Sequence, residues 1–166
     1  MWPFWVSGII AGAGILVILF EWRLKRPDEW ILCEKDGRIR RRGGQLYPRH
    51  FSLPLSATMY AVPLSVTAEA GGKLTVTIRM SLSVSPDGEH IDALIRSGGW
   101  HRDAVKRAAE EMMSHIRAQV GHYCENRPLD GILASDLITD LKSDNQDISQ
   151  LYGLRILSIT IQSMEP

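Results

Sequence analysis

Cysteine is scarce in this 166-residue chain, which carries only Cys33 and Cys124. The two are far apart in sequence and form no Cys-x-x-Cys pair, which excludes a disulfide framework and a paired-cysteine zinc motif. Both are therefore predicted to be free thiols in a reducing compartment. Net charge is also lacking, because 19 basic residues balance 19 acidic ones. This balance argues against nucleic acid as the main partner.

The sequence also lacks a convincing catalytic motif. Residues 71–75 contain a glycine pair and Lys73, but the upstream glycine of a phosphate-binding loop is missing. His115 and His122 are two helical turns apart, about 10 Å, which is too far to share one zinc ion. A metal-assisted hydrolase using these histidines or Cys124 is the weakest hypothesis. We expect no enzymatic activity, no cofactor and no metal.

Residues 4–20 form an uncharged, mostly apolar run of the length that a minimal membrane-spanning helix needs. Trp2 and Trp5 precede most of it and Trp22 follows it, which is typical of interfacial anchors. A cleaved signal peptide is the alternative, but no Lys or Arg precedes the run. The sequence therefore predicts one N-terminal transmembrane anchor, with its basic flank, over residues 1–27.

Basic residues gather directly after this run. Positive-inside reasoning then predicts a single-pass membrane protein whose C-terminal domain is cytoplasmic. The same residues are candidates for contact with the lipid bilayer surface, and they are Arg23, Lys25, Arg26, Arg38, Arg40, Arg41 and Arg42. Gly8 and Gly12 form a Gly-x-x-x-Gly pair, which indicates either close packing of transmembrane helices or simply the glycine content of such helices.

Charge is unevenly distributed along the rest of the chain. Residues 22–49 hold nine basic and four acidic residues, a net of +5, whereas residues 50–166 hold ten basic and fourteen acidic residues, a net of −4. Opposite charges at the two ends of a chain permit contacts between copies.

Residues 28–166 alternate in patterns that predict an α+β domain. Strands are predicted at 29–34 and 38–42, joined by an Asp36-Gly37 turn, and at 60–68, 73–84 and 154–164. Helices are predicted at about 103–123 and 129–151, with Gly153 as a left-handed cap. This order favours an antiparallel sheet with helices packed on one face.

The same order of segments resembles the SPFH, or band 7, domain of stomatins, prohibitins and flotillins. The most specific match is at residues 152–161, Tyr-Gly-Leu-Arg-Ile-Leu-Ser-Ile-Thr-Ile, which is similar to the family's closing strand. Residues 29–42 resemble its opening hairpin, and residues 43–54 resemble its glycine- and proline-containing loop. Residues 71–78 resemble the glycine turn that leads into its long strand.

The resemblance implies a membrane-anchored scaffold that forms a homo-oligomeric ring or arc. Such a scaffold would organise a membrane patch or confine a membrane protein partner. The loop reads Gly43-Gly44-Gln45 where the family has Gly-Pro-Gly, and the long coiled coil that most members carry next is absent from this sequence. The alternative is an accessory subunit of a larger membrane complex, such as a protease, channel, secretion system or flagellar motor, that does not self-assemble.

Overall fold

The computed structural model describes residues 2–71 and 74–166, with the side chains of residues 2–5 and 16–20 left out of the description. The chain divides into two compact units, Met1–Ser56 and Ala57–Pro166. The first unit therefore includes both residues 1–27, predicted as the anchor with its basic flank, and the start of the region predicted as one domain, residues 28–166.

The first unit contains one helix and five short strands, with a 3-10 turn at Arg49–Phe51 before the last of them. These are α1 (Trp2–Phe20), β1 (Trp22–Leu24), β2 (Glu29–Lys35), β3 (Arg38–Arg42), β4 (Leu46–Pro48) and β5 (Leu53–Ser56). β1 pairs with β4, while β3, β2 and β5 form a three-stranded sheet in that order. Every one of these pairings is antiparallel.

The predicted transmembrane anchor is wrong. α1 forms at the expected place and has 19 residues, yet no helix of the described residues combines the length and the apolar character needed to cross a membrane. The single-pass membrane localisation with a cytoplasmic C-terminal domain, which rested on this anchor, is corrected with it. The tryptophans predicted to flank the span, Trp2 and Trp5, have side chains outside the described set.

The hairpin predicted around Asp36-Gly37 is confirmed. β2 and β3 pair in the register Lys35–Arg38 and Cys33–Arg40. Asp36 and Gly37 have φ angles of 57° and 69°, and positive φ at both central residues is what a tight two-residue hairpin turn requires.

The second unit is a three-stranded antiparallel sheet with four helices. Its strands β6 (Tyr60–Ala70), β7 (Leu74–Pro86) and β8 (Leu154–Glu165) lie in that order. Its helices are α2 (Ile91–Gly98), α3 (Ala104–Glu125), α4 (Ala134–Ser143) and α5 (Asn145–Tyr152). The turn predicted at Gly71-Gly72 includes Gly72, which lies outside the described residues.

Alternation along β7 positions the core of this unit. Val76, Ile78, Met80, Leu82 and Val84 are buried, while the residues between them are exposed or half-buried. The apolar stripe of α3 covers this side of the sheet and is itself buried at Ala108, Met112, Ile116 and Val120. The α+β class with an antiparallel sheet is thus as predicted from the sequence.

Two local predictions need correction. The helix predicted over residues 129–151 is interrupted, because Asp144 ends α4 and begins α5 with φ −86° and ψ 5°. In β8, the strict alternation of the strand predicted at 154–164 would place Leu157 on the same face as Ile159, but Leu157 is 50% exposed and Ile159 is buried. A register shift opposite Ser83 and Val84 inserts Leu157 as an extra residue, and such a β-bulge reverses the alternation beyond it.

Candidate interaction surfaces

The basic residues predicted to contact a membrane surface all belong to the first unit. Arg23 lies on β1 opposite Tyr47 of β4, and the backbone N–H of Lys25 donates to the carbonyl of Gln45 at 2.7 Å. Arg26 follows, with its N–H bonded to the Glu29 carboxylate at 3.2 Å. A backbone bond to Gln45 and a bond to the Glu29 side chain therefore hold this basic turn in place, while the side chains of Arg23 and Arg26 stay exposed.

The four arginines of β3 are divided between two faces of their strand. Since side chains alternate along a strand, Arg38, Arg40 and Arg42 point to one side and Arg41 to the other. The Arg41 guanidinium lies 4.9 Å from the ring centre of Trp30, and that of Arg42 lies 5.7 Å from the ring centre of Trp22. These cation–π contacts fix two of the guanidiniums. The exposed pair Arg38 and Arg40 is left as the adaptable part of this surface.

Acidic residues concentrate on α4 and α5 in the second unit. Asp136, Asp140 and Asp147 are exposed, and Asp136 lies 3.7 Å from Arg127. Asp144, half-buried, accepts a hydrogen bond from the Gln119 side chain. Lys142 is the one basic residue in these two helices. The first unit carries nine basic and five acidic residues, a net of +4, and the second ten and fourteen, a net of −4.

A buried carboxylate ties together three segments of the second unit. Asp87, 5% exposed, accepts from His90 Nδ1 at 2.9 Å and from Arg155 Nη2 at 3.3 Å. It also accepts from the backbone N–H of Glu89 at 3.2 Å. The end of β7, the start of α2 and the start of β8 are therefore joined through one side chain.

Burial pushes the pKa of Asp87 upward, but the hydrogen bond from His90 opposes it. The Glu89 N–H and the charge of Arg155 act in the same direction as His90, and the net pKa lies below its ordinary value. A lowered pKa means that the carboxylate is held ionised as part of the fold. No sequence signal could have paired Asp87 with Arg155, since the two are 68 residues apart.

His115, His122 and Cys124, the residues considered as metal ligands from the sequence, do not form a metal site. Cys124 is buried, and burial, with a smaller contribution from Glu125, raises the pKa of its thiol. The His122 ring lies beside the side chain of Asn126, and the His115 ring stands edge-on to Tyr152 with centroids 6.1 Å apart. Within the described residues, no three His, Cys, Asp or Glu side chains are grouped in a way that could hold a metal ion.

Gly8 and Gly12, predicted to pack transmembrane helices together, lie in α1 with open space around each position where a Cβ would stand. That packing role was predicted for a membrane-spanning helix, and no helix of the described residues is long and apolar enough to be one.

No protein-family model matches this chain, and no curated protein matches it either. The resemblance to the SPFH domain therefore remains a prediction from the sequence.

Proposed function

We propose that this chain is a non-enzymatic scaffold whose copies associate side by side into an arc or ring. The observation that carries the proposal is the separation of charge between its two compact units, +4 on the first and −4 on the second. A surface of one sign repels itself across a two-fold axis, so the favoured contact joins the basic surface of one copy to the acidic surface of another. Such contacts give a closed pair when they are reciprocal and a longer series of copies when they are head-to-tail. An arc or ring requires the head-to-tail form. Head-to-tail contacts generate rings if they close and filaments if they do not.

Two exposed surfaces supply the opposite charges. Arg38 and Arg40 lie on the same side of β3, and Asp140 and Asp147 lie on α4 and α5. Complementary potentials of this kind set the orientation and rate of association more than its strength. The resemblance to SPFH domains, whose members form oligomeric scaffolds, is consistent with this arrangement.

Charge reversal tests the proposal. We expect the variants R38E/R40E and D140K/D147K each to self-associate at least roughly tenfold more weakly than the parent chain, because both surfaces of each variant then carry one sign. An equimolar mixture of the two variants should associate again, since each supplies the surface that the other has lost. Sedimentation velocity at low and high salt measures this, and circular dichroism verifies that both variants fold.

Sedimentation of the parent chain as a single copy at low salt would contradict the scaffold proposal. A mixture that stays dissociated would exclude these two surfaces as the contact. High salt should weaken the association of the parent chain, because the screening length falls from about 10 Å at 0.1 M to about 3 Å at 1 M.

We infer, second, that Arg23 and Arg26 meet an anionic lipid surface from outside the bilayer. Both are exposed, and each basic side chain near such a surface contributes about 1 kcal/mol. The variant R23A/R26A should therefore bind phosphatidylserine vesicles roughly thirtyfold more weakly.

The matched control for this test is R102A/R107A, which removes two exposed arginines from the second unit. Vesicle co-sedimentation compares the two variants, with phosphatidylcholine vesicles as the neutral surface. Equal losses for both variants would mean that total charge, and not the basic turn of the first unit, governs binding.

The accessory-subunit hypothesis is supported by a different observation. Leu133, Leu151 and Leu157, all in the second unit, are each about half exposed, at 51%, 53% and 50%. Apolar side chains left open in this way suit a contact with another protein. Sedimentation of the parent chain as one copy would favour the accessory-subunit hypothesis over the scaffold.

A further inference from the structure

An open groove runs along one side of the second unit, between strand β6 and helix α3. Residues 65–69 of β6 form one wall, and Arg117, Ala118, Gly121 and Glu125 of α3 form the other. The groove encloses about 460 Å³. Residues 65–69 extend about 13 Å and residues 117–125 about 12 Å, so the two walls match in length.

The strand wall of the groove is an edge of the sheet. In the part of the chain that the structure describes, β6 pairs only with β7. The other described backbone bond of this segment is at its far end, where the Gly71 N–H donates to the carbonyl of Arg127 at 2.9 Å. An edge strand of this kind presents backbone donors and acceptors to any extended chain that lies beside it.

The opposite edge of the same sheet, strand β8, is protected from pairing with another chain, whereas the β6 edge is not. On β8, the side-chain amide of Asn145 accepts from the N–H of Ile156 at 2.9 Å and donates to its carbonyl at 3.3 Å, which occupies that edge. Two register shifts interrupt β8 further. Bulges and side-chain covers are the usual protection of edges. Among the described residues of β6, Pro63 near the start of the strand serves this purpose, and the pairing of β6 with β7 contains no register shift.

Small residues leave room inside the groove for a side chain. Ala68 stands on the core side of β6 yet is only half-buried. Ala118 is exposed, and a Cβ at Gly121 would meet nothing within 4 Å. An incoming strand can therefore place one apolar side chain between the sheet edge and the helix.

The charges of the groove give it a direction. Because the bond between Gly71 and Arg127 joins the ends of β6 and α3, the strand and the helix run the same way. Arg117 then lies towards the Ser65 end of the groove, and Glu125 lies towards the Glu69 end. Among the described residues, no ion pair engages the side chains of Arg117, Glu69 or Glu125.

We propose that this groove binds an extended peptide segment of a partner protein as an added, antiparallel strand. The segment carries a basic residue at its N-terminal end, opposite Glu125, an apolar residue over Gly121, and an acidic residue at its C-terminal end, opposite Arg117. Backbone bonds to β6 supply the affinity, and the two charges of α3 set the direction. The proposal does not depend on self-association of the chain.

The probe for the test is a fluorescein-labelled peptide with the sequence Thr-Lys-Thr-Leu-Thr-Glu-Thr, in which the lysine, leucine and glutamate share one face of the strand. Its matched control has the lysine and the glutamate exchanged. Fluorescence anisotropy with the full chain should show saturable binding, with roughly a tenfold preference for the first peptide, since each exposed charge pair adds a modest increment. The variant R117E/E125R should prefer the exchanged peptide instead.

Gly121→Leu tests the groove itself without disturbing the fold. The position is open, and replacing a glycine within a helix favours the helix. Binding of the probe should fall at least roughly tenfold, while the thermal midpoint of the variant stays at or above that of the parent chain. Equal affinity for both peptides, or full binding by Gly121→Leu, overturns the proposal. Loss of self-association in Gly121→Leu without any peptide binding would instead assign the groove to a second copy of the chain.

Discussion

Replacing Gly153 with alanine is expected to destabilise the second unit by at least about 3 kcal/mol, and so to leave much of it unfolded. Gly153 ends α5 in the left-handed conformation, with φ 64° and ψ 27°. A Cβ at this position would lie 2.3 Å from the backbone nitrogen of Leu94 and 2.5 Å from the carbonyl oxygen of His90. Both neighbours are backbone atoms of the first turn of α2, so no side chain can turn away to make room.

Two costs add in this variant. A non-glycine residue in the left-handed region costs roughly 1–2 kcal/mol, and separation of α5 from α2 opens the packing around Leu94, which is fully buried. The Asp87 N–H also donates to the Gly153 carbonyl at 2.9 Å, so a shift at residue 153 disturbs the end of β7 as well. Urea denaturation followed by circular dichroism measures the loss of stability.

Gly121→Ala is the matched control for this prediction. It makes the same chemical change within α3, where the new methyl group meets open space. We expect a gain of roughly 0.5–1 kcal/mol, because alanine loses less conformational freedom than glycine on entering a helix. If the Gly153 variant loses no more than the Gly121 variant gains, the close approach of α5 to α2 is wrong.

Gly153 also illustrates which features of the fold could be predicted from the sequence. A glycine directly after an apolar periodic run predicts a left-handed cap from local information alone, and the cap is confirmed. Alternation likewise predicted β7, and the Asp36-Gly37 pair predicted the hairpin. The close neighbour that excludes a side chain at residue 153 is α2, which lies more than fifty residues earlier in the sequence. No local sequence pattern could predict this contact.

Errors arose where tertiary contacts compete with local periodicity. The break at Asp144 accompanies hydrogen bonds from Gln119 to Asp144 and between Asn145 and Ile156, both with distant segments. The exposure of Leu157 follows from the pairing of β8 with β7. The helix at residues 2–20 was correctly expected as a helix, but its role as a membrane span was wrong.

The candidate interaction surfaces were predictable only in part. Composition located the basic residues, because charge can be counted along a chain. The division of the β3 arginines between two faces, with two of them over tryptophan rings, depends on strand register. The groove beside Gly121 depends on how α3 lies against β6, and Asp87 depends on the return of β8 beside β7.

The variant Asp87→Ala is expected to lose about 2–3 kcal/mol of stability, because it removes the shared acceptor of two side chains and one backbone N–H. His90 and Arg155 are 33% and 54% exposed, so water can reach both after the substitution. The loss is therefore smaller than for a fully buried ion pair. Asp87→Asn should lose less, since its amide oxygen still accepts a hydrogen bond.

The pH dependence of this effect follows from the direction of the pKa shift. The pKa of Asp87 is lower in the folded chain than its ordinary value, so the ionised form stabilises the fold. That contribution is fully present above the ordinary carboxyl pKa, near about pH 4, and is lost as the pH falls through the lower, folded value. The stability difference between the parent chain and Asp87→Asn should therefore be constant near neutrality and shrink below about pH 4.

Asp130→Asn is the control for this measurement, because it removes an exposed carboxylate of the same unit. Its urea midpoint should follow that of the parent chain across the whole pH range. A difference between parent and Asp87→Asn that persists undiminished into strong acid would show that the carboxylate acts through packing and not through its charge. In that case the charge of Arg155 has no part in holding β8 to the end of β7. Replacing Arg155 with alanine would then leave the stability nearly unchanged.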